Sequence, residues 1–221
     1  MSHFTEEFLK FFRGLEKHNN KKWFDANKAS YENDIKKPFN AFVEEMIARI
    51  RAEDPDVAIS AKDAIFRLNR DIRFSKDKSP YKTHMAANIS AGGRKNLSEP
   101  GFYFQFGAKT LMIAGGAYMV ETENVYKIRK AIAANLERFD ALLKEKDFRK
   151  KYGTLQGEQN KVLPPEFKEL ASKQPLLANK QFYYMAELEA DTILKKNLAE
   201  VMMQYFLAGR HMNDFLGRAM R

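Results

Sequence analysis

The chain of 221 residues contains no cysteine, which excludes disulfide bonds and thiol catalysis. No apolar run approaches the ~20 residues needed to span a bilayer. The N-terminal segment MSHFTEEFLKFF becomes acidic early and lacks the basic start and small-residue cleavage site of a secretory signal. We therefore expect a cytoplasmic protein without a membrane segment, although a lack of cysteine is compatible with every compartment.

The motifs that identify several large enzyme classes are also missing. The sequence has no GxSxG nucleophile turn, no GxxxxGK[ST] phosphate loop and no GxGxxG dinucleotide fingerprint. Its four histidines, at positions 3, 18, 84 and 211, include no pair at the i, i+4 spacing of a zinc-binding helix. The sequence thus predicts no metal site and no cofactor, and it names no reaction.

Charge and composition set broad limits on the protein. Lys and Arg number 38 against 29 Asp and Glu, so the net charge is +9 and favours contact with anions. With 44% hydrophobic and 30% charged residues, the chain is long enough to bury a full core. Because no linker rich in Pro, Gly or Ser interrupts it, we expect one domain over residues 1–221.

Apolar spacing predicts helices at both ends of the chain. Residues 1–55 are predicted to be helical, with a first helix from residue 4, a short second helix over 22–34 and a third beginning at Pro38. Residues 121–221 are predicted to be mainly helical, with helices over 123–146, 191–207 and 210–220 and an edge strand over 182–185.

Residues 56–120 carry strand signals. The alternation of Phe102, Phe104 and Phe106 with polar residues is typical of a half-buried strand, and shorter strands are predicted over 83–90 and 110–114. Short connections between successive strands favour an antiparallel meander. The predicted fold class is therefore α+β, with N-terminal helices, a central mainly antiparallel sheet and C-terminal helices.

The most distinctive stretch is RLNRDIRFSKDKSPYKTH, residues 67–84. Six cations stand against two acidic residues, and they are Arg67, Arg70, Arg73, Lys76, Lys78 and Lys82. Apolar residues at 66, 68, 72 and 74 alternate with polar ones, which predicts a strand followed by a loop over 75–80. Arg70 falls on the apolar side of this alternation, where an unpaired guanidinium is costly.

The segment RDIRFSKDKSPYKTH resembles the signature of the domain of unknown function 2461 family, mainly bacterial proteins without an established activity. The similarity extends to NNKKWFDANKASYENDIKKP at 19–38, PGFYFQF at 100–106, GGAYM at 115–119 and IRKAI at 128–132. Ala117 stands where a third glycine is common, and Val120 where a proline is common. The resemblance implies a single-domain α+β protein, and it implies no reaction.

Two interpretations of the cationic stretch remain open. It forms either a site for a small phosphorylated or carboxylated molecule or a structural network of ion pairs. In the first case the predicted ligand-binding residues are the six cations named above together with Tyr81. Asp71, Asp77 and His84 are then the acid–base candidates. The alternative functions are nucleic-acid binding, which the interspersed acidic residues disfavour, and contact with an acidic protein partner.

Overall fold

The computed structural model describes residues 2–221, and within them helices surround a four-stranded sheet. The helices are α1 Glu6–Lys17, α2 Lys21–Ala26, α3 Lys28–Ser30, α4 Lys37–Glu53, α5 Ala61–Ala64, α6 Thr122–Ala134, α7 Leu136–Lys144, α8 Lys146–Tyr152, α9 Pro165–Lys173 and α10 Leu198–Met220. The strands are β1 His84–Ile89, β2 Gly101–Gly107, β3 Thr110–Ala117 and β4 Phe182–Glu189. In this part of the chain no helix combines the length and apolar character required to cross a membrane.

The strands follow the order β1-β2-β3-β4, and every neighbouring pair is antiparallel. This arrangement confirms the predicted α+β class with helices before and after a central antiparallel sheet. The predicted edge strand over 182–185 is also present as β4. It continues to Glu189 and pairs with β3 along the full length of both strands.

One face of the sheet is buried by phenylalanines from α4 and from the segment that leads into α1. Phe106 of β2 lies with its ring centroid 5.3 Å from that of Phe4 and 5.5 Å from those of Phe39 and Phe42. Alternation along β2 then directs Tyr103 to the opposite, open face. The alternation of side chains along each strand therefore determines which residues pack in the core and which lie on the open face of the sheet.

Helix α10 closes the other half of the core against β3 and β4. The Tyr184 hydroxyl lies 2.8 Å from Asn213 Oδ1 and 3.1 Å from the Gly209 carbonyl oxygen. A Cβ atom at Gly209 would lie 2.6 Å from Tyr184 Cζ, so the ring requires glycine at this point in the helix. Gly209 packs against this ring within the helix, so the helical character predicted over 191–207 and 210–220 is present from Leu198, but the predicted break between two helices is wrong. The chain forms a 3₁₀ turn at Ala190–Leu194 and then the single helix α10.

The third predicted helix is confirmed as α4, with Pro38 in its first turn, where the missing proline N–H removes no hydrogen bond within that helix. A π-helical turn at Tyr31–Lys36 joins α3 to α4. The helix predicted over 123–146 is divided at Asn135. There the side-chain amide donates a 3.0 Å hydrogen bond to the Ala131 carbonyl and ends α6.

The phenylalanine layer gives a direct stability test with an internal control. Phe106→Ala removes a ring with no exposed surface and should lower the free energy of unfolding by about 3–5 kcal/mol. Phe74→Ala removes a ring that is 95% exposed and should change it by no more than about 0.5 kcal/mol. Urea unfolding of both variants measures the difference, and similar losses would contradict this assignment of the core.

Candidate functional site

The cationic stretch begins as a ribbon beside β1. The Phe66 amide donates to the Ala86 carbonyl at 2.9 Å, and the Lys82 amide donates to the Leu68 carbonyl at 2.8 Å. Between these two hydrogen bonds the chain advances from residue 66 to 68 on one side but from 82 to 86 on the other. The additional residues interrupt the ladder as a β-bulge does, and such bulges re-aim the side chains beside them.

This irregular pairing corrects the predicted strand over 66–74. The segment makes only isolated bridges, from Ile65 to Ala87 and from Asn69 to Tyr81, and the residues after Arg70 form a loop. The partner run predicted over 83–90 is confirmed as β1, which begins at His84.

Side-chain contacts within the loop engage three of the six cations. Arg73 donates to both carboxylate oxygens of Asp71, at 3.0 and 2.7 Å, and Lys78 Nζ donates to the Ile72 carbonyl at 3.0 Å. Arg70 forms an ion pair with Asp77 through Nη1 alone. Arg73 and Lys78 are therefore committed to the shape of the loop, whereas Arg70 keeps donors on Nε and Nη2.

The same contacts determine the state of the two aspartates. Hydrogen bonds from Arg73 lower the pKa of Asp71 to about 2. Hydrogen bonds from Ser79, followed by the one from Arg70, also lower the pKa of Asp77. Carboxylates with such low pKa values are weak bases at neutral pH, and they are ill-suited to proton transfer.

The third acid–base candidate, His84, lies on the open face at the start of β1. Burial, followed by the nearby charges of Lys82 and Arg70, lowers the pKa of His84 to about 4. Its imidazole is therefore neutral at pH 7.

Tyr81 lies in the core and does not point into solvent. Its ring stacks on Phe24 with the centroids 4.3 Å apart. Asn19 brackets its backbone, accepting from the Tyr81 amide at 3.1 Å and donating to the Tyr81 carbonyl at 2.9 Å. These contacts join the NNKKWF segment to the cationic stretch and fix the position of the residue that follows, Lys82.

Lys82 is half-buried, and no carboxylate within residues 2–221 forms an ion pair with it. Its Nζ lies 5.2 Å from the centre of the Phe66 ring. Burial, followed by the charges of Arg67 and Arg70, lowers the pKa of Lys82. We call Arg67, Arg70 and Lys82 the Lys82 cluster. Burial and the two nearby arginines both act against the positive charge of Lys82, and a bound anion would offset both effects.

Three hollows in the surface meet at Lys82. The loop hollow, of about 470 Å³, includes Arg70 and His84. The helix-side hollow, of about 800 Å³, includes Arg67. The third, which we call the sheet cavity, measures about 400 Å³ and lies on the open face of the sheet. Within residues 2–221, no three His, Asp or Glu side chains are grouped so that they could hold a metal ion.

Lys76 and Phe74 lie on the exposed part of the loop and line none of the three hollows at Lys82. Phe74 is 95% exposed, and the Arg73 guanidinium carbon lies 5.8 Å from its ring centre. The sequence pattern placed Phe74 on the apolar side of a strand, but the side chain is not buried. The last bridge of the ribbon is at Asn69, so Phe74 already lies in the loop.

The sheet cavity includes residues that the sequence did not single out for function. They come from the ribbon, the β1–β2 connection and strands β2 to β4, and they include Phe66, Tyr103, Met112, Tyr118, Tyr183 and Met185. Phe66 and Tyr103 each lie in a two-residue alternation, and Tyr118 lies in the GGAYM segment, but neither pattern indicates a shared cavity. Met112, Tyr183 and Met185 come together through the register of β3 with β4.

A family model described as a conserved hypothetical protein (DUF2461) matches residues 7–215. The chain belongs to this family. The match confirms the resemblance seen in the cationic stretch, and it includes the Lys82 cluster and the sheet cavity. No curated protein matches the chain significantly.

The low pKa of His84 predicts a specific pH dependence of stability. Unfolded His84 titrates near 6.5 and the folded residue at about 4, so the unfolded chain gains the proton first. The resulting loss of stability begins as the pH falls below 6.5 and is complete near 4, reaching at most about 3 kcal/mol. Urea unfolding between pH 4 and 7 should show a shallower loss for His84→Gln than for the wild type.

His18→Gln provides the control, because this histidine is exposed. It should retain the pH dependence of the wild type. Parallel curves for the wild type and His84→Gln would contradict the buried, neutral imidazole.

Proposed function

We propose that the protein binds a small phosphorylated or carboxylated molecule whose anionic group meets the Lys82 cluster. The observation that carries this proposal is the half-buried Lys82 ammonium, which has no carboxylate partner within residues 2–221 and lies near two arginines. Charged groups in such surroundings are usually paired, and here the missing partner is negative.

The geometry supports a division of roles among the predicted ligand-binding residues. Lys82 supplies a point charge, while Arg67 and the free donors of Arg70 supply planar guanidinium groups that suit carboxylate or phosphate oxygens. Arg73, Lys78 and the backbone of Tyr81 shape the loop that presents them.

Binding is better supported than catalysis at this site. Asp71 and Asp77 are held as carboxylates by their own hydrogen bonds, which leaves His84 as the acid–base candidate. A neutral imidazole with its pKa lowered to about 4 accepts a proton only weakly at neutral pH. The proposal is therefore a binding protein, in the cytoplasm, with any chemistry dependent on His84.

A second candidate is contact with an acidic protein through the loop. The exposed Phe74 ring beside Arg73 favours it, because aromatic and arginine side chains are enriched at protein interfaces. Phe74 and Arg73 line none of the three hollows at Lys82, so the two candidates depend on different residues.

Replacement of Lys82 tests the proposed site. Lys82→Met should weaken the binding of inorganic phosphate, measured by calorimetry at fixed ionic strength, by about tenfold or more, because a hydrogen bond to a charged group is worth about 1.5–3 kcal/mol. Lys130→Met is the matched control, since Lys130 Nζ also lies over an aromatic ring, 5.8 Å from the centre of Tyr126. It should leave the affinity unchanged.

Equal affinity in the wild type and Lys82→Met would contradict the proposed site. Parallel titrations with an oligonucleotide and an acidic peptide separate the alternative functions. Oligonucleotide binding that falls steeply with salt would favour a nucleic-acid role. Peptide binding that is lost in Phe74→Ala would favour the protein partner.

A further inference from the structure

The sheet cavity differs from the two other hollows at Lys82 in its lining. Its walls are mainly apolar, and the charged residues that line it are Lys82 and Glu99, whose carboxylate already accepts a hydrogen bond from the Gly92 amide. Its volume of about 400 Å³ falls within the 300–1,000 Å³ typical of small-molecule sites. An anionic group alone would find little to bind beyond Lys82, whereas an apolar group would fit the remainder of the space.

Two aromatic pairs form opposite sides of this cavity. Phe66 and Tyr103 stand edge to face on the β1 side, with their centroids 6.0 Å apart. Tyr118 and Tyr183 stand edge to face on the β4 side, at 5.3 Å. Aromatic rings attract one another in edge-to-face and offset-stacked arrangements, so these two pairs would contact a third flat ring favourably.

Small residues form the floor between the two pairs. Gly101 and Gly116 are register partners on β2 and β3, and Ala114 lies on the same face. A Cβ atom at Gly101 would lie 2.8 Å from Ser90 Cβ, so the close approach of the chain excludes a larger residue there. Met112 and Met185 complete the lining with flexible side chains that adapt to an apolar occupant.

A short chain of contacts connects this floor to the cationic cluster. Lys82 Nζ lies 5.2 Å from the Phe66 ring centre, and Phe66 in turn contacts Tyr103. The Tyr103 hydroxyl lies 3.1 Å from Gln105 Oε1. Burial raises the pKa of Tyr103 to about 12, so this phenol remains a neutral wall of the cavity at physiological pH.

We propose that the sheet cavity receives a flat apolar ring of the same ligand whose anionic group meets Lys82. The ligand class is then an aryl phosphate or aryl carboxylate, with its ring between the two aromatic pairs and its charge toward the ribbon. This inference rests on the proposed function, because it takes the anionic group at Lys82 as given.

Matched probes separate the ring from the charge. Calorimetric titration compares phenyl phosphate with inorganic phosphate and with phenol, all at the same pH and ionic strength. Wild-type protein should bind phenyl phosphate at least about tenfold more tightly than inorganic phosphate, because the buried ring adds apolar contact. Phenol should bind more weakly than phenyl phosphate, since it lacks the group that meets Lys82.

A larger side chain on the floor of the sheet cavity tests whether the phenyl ring binds there. Ala114→Leu places a larger side chain in the sheet cavity and should remove the advantage of phenyl phosphate while leaving inorganic phosphate binding intact. Thr110→Leu is the control, because Thr110 shares the strand and the open face with Ala114 but does not line the cavity. Tyr118→Ala provides a second variant at an exposed wall residue, and it should reduce the same advantage without disturbing the core.

The possible results distinguish this inference from the proposed anion site at Lys82, on which it rests. Equal binding of phenyl phosphate and inorganic phosphate, both sensitive to Lys82→Met, would overturn the inference and retain the anion site. An advantage of phenyl phosphate that survives in both Ala114→Leu and Tyr118→Ala would place the ring elsewhere and also overturn it. Failure of the wild type to bind either phosphate would overturn both.

Discussion

The burial of only one face of the sheet by phenylalanines is the constraint from which the other features follow. Phe106 and its neighbours on β2 meet rings from α1 and α4, and this contact fixes which side of every strand is the inside. Because side chains alternate between the two faces and the register aligns the strands, Tyr103, Met112 and Met185 then lie on the open face. The sheet cavity is therefore a consequence of how the core is packed on the other side.

The position of Lys82 follows from a second constraint, the unequal spacing of hydrogen bonds between the ribbon and β1. Asn19 holds the backbone of Tyr81 while the Phe24 ring fixes its side chain, so the next residue has little freedom. An ammonium group placed there is partly desolvated beside Phe66. The fold thus maintains a cation at the junction of three hollows, and we interpret this as the centre of the anion site.

Sequence patterns predicted the features that depend on local period. The alternation of Phe102 to Phe106 identified β2 and its buried face, and the density of charge identified the stretch that contains Lys82. Local sequence patterns could not predict which side chains contact each other across the fold. The pairing of Arg70 with Asp77 depends on how the loop closes. The approach of Tyr183 to Tyr118 depends on a strand that joins the sheet from the C-terminal part of the chain.

The most direct test of this account is the pKa of Lys82, measured by carbon NMR of its ε-methylene signal. The signal is assigned by its loss in Lys82→Met. In the free protein the pKa should lie below that of an exposed lysine, because the ammonium is partly buried beside two arginines. Saturation with inorganic phosphate should raise it, since an anion stabilises the charged form. A pKa at the ordinary lysine value that does not respond to phosphate would contradict the central role given to this residue.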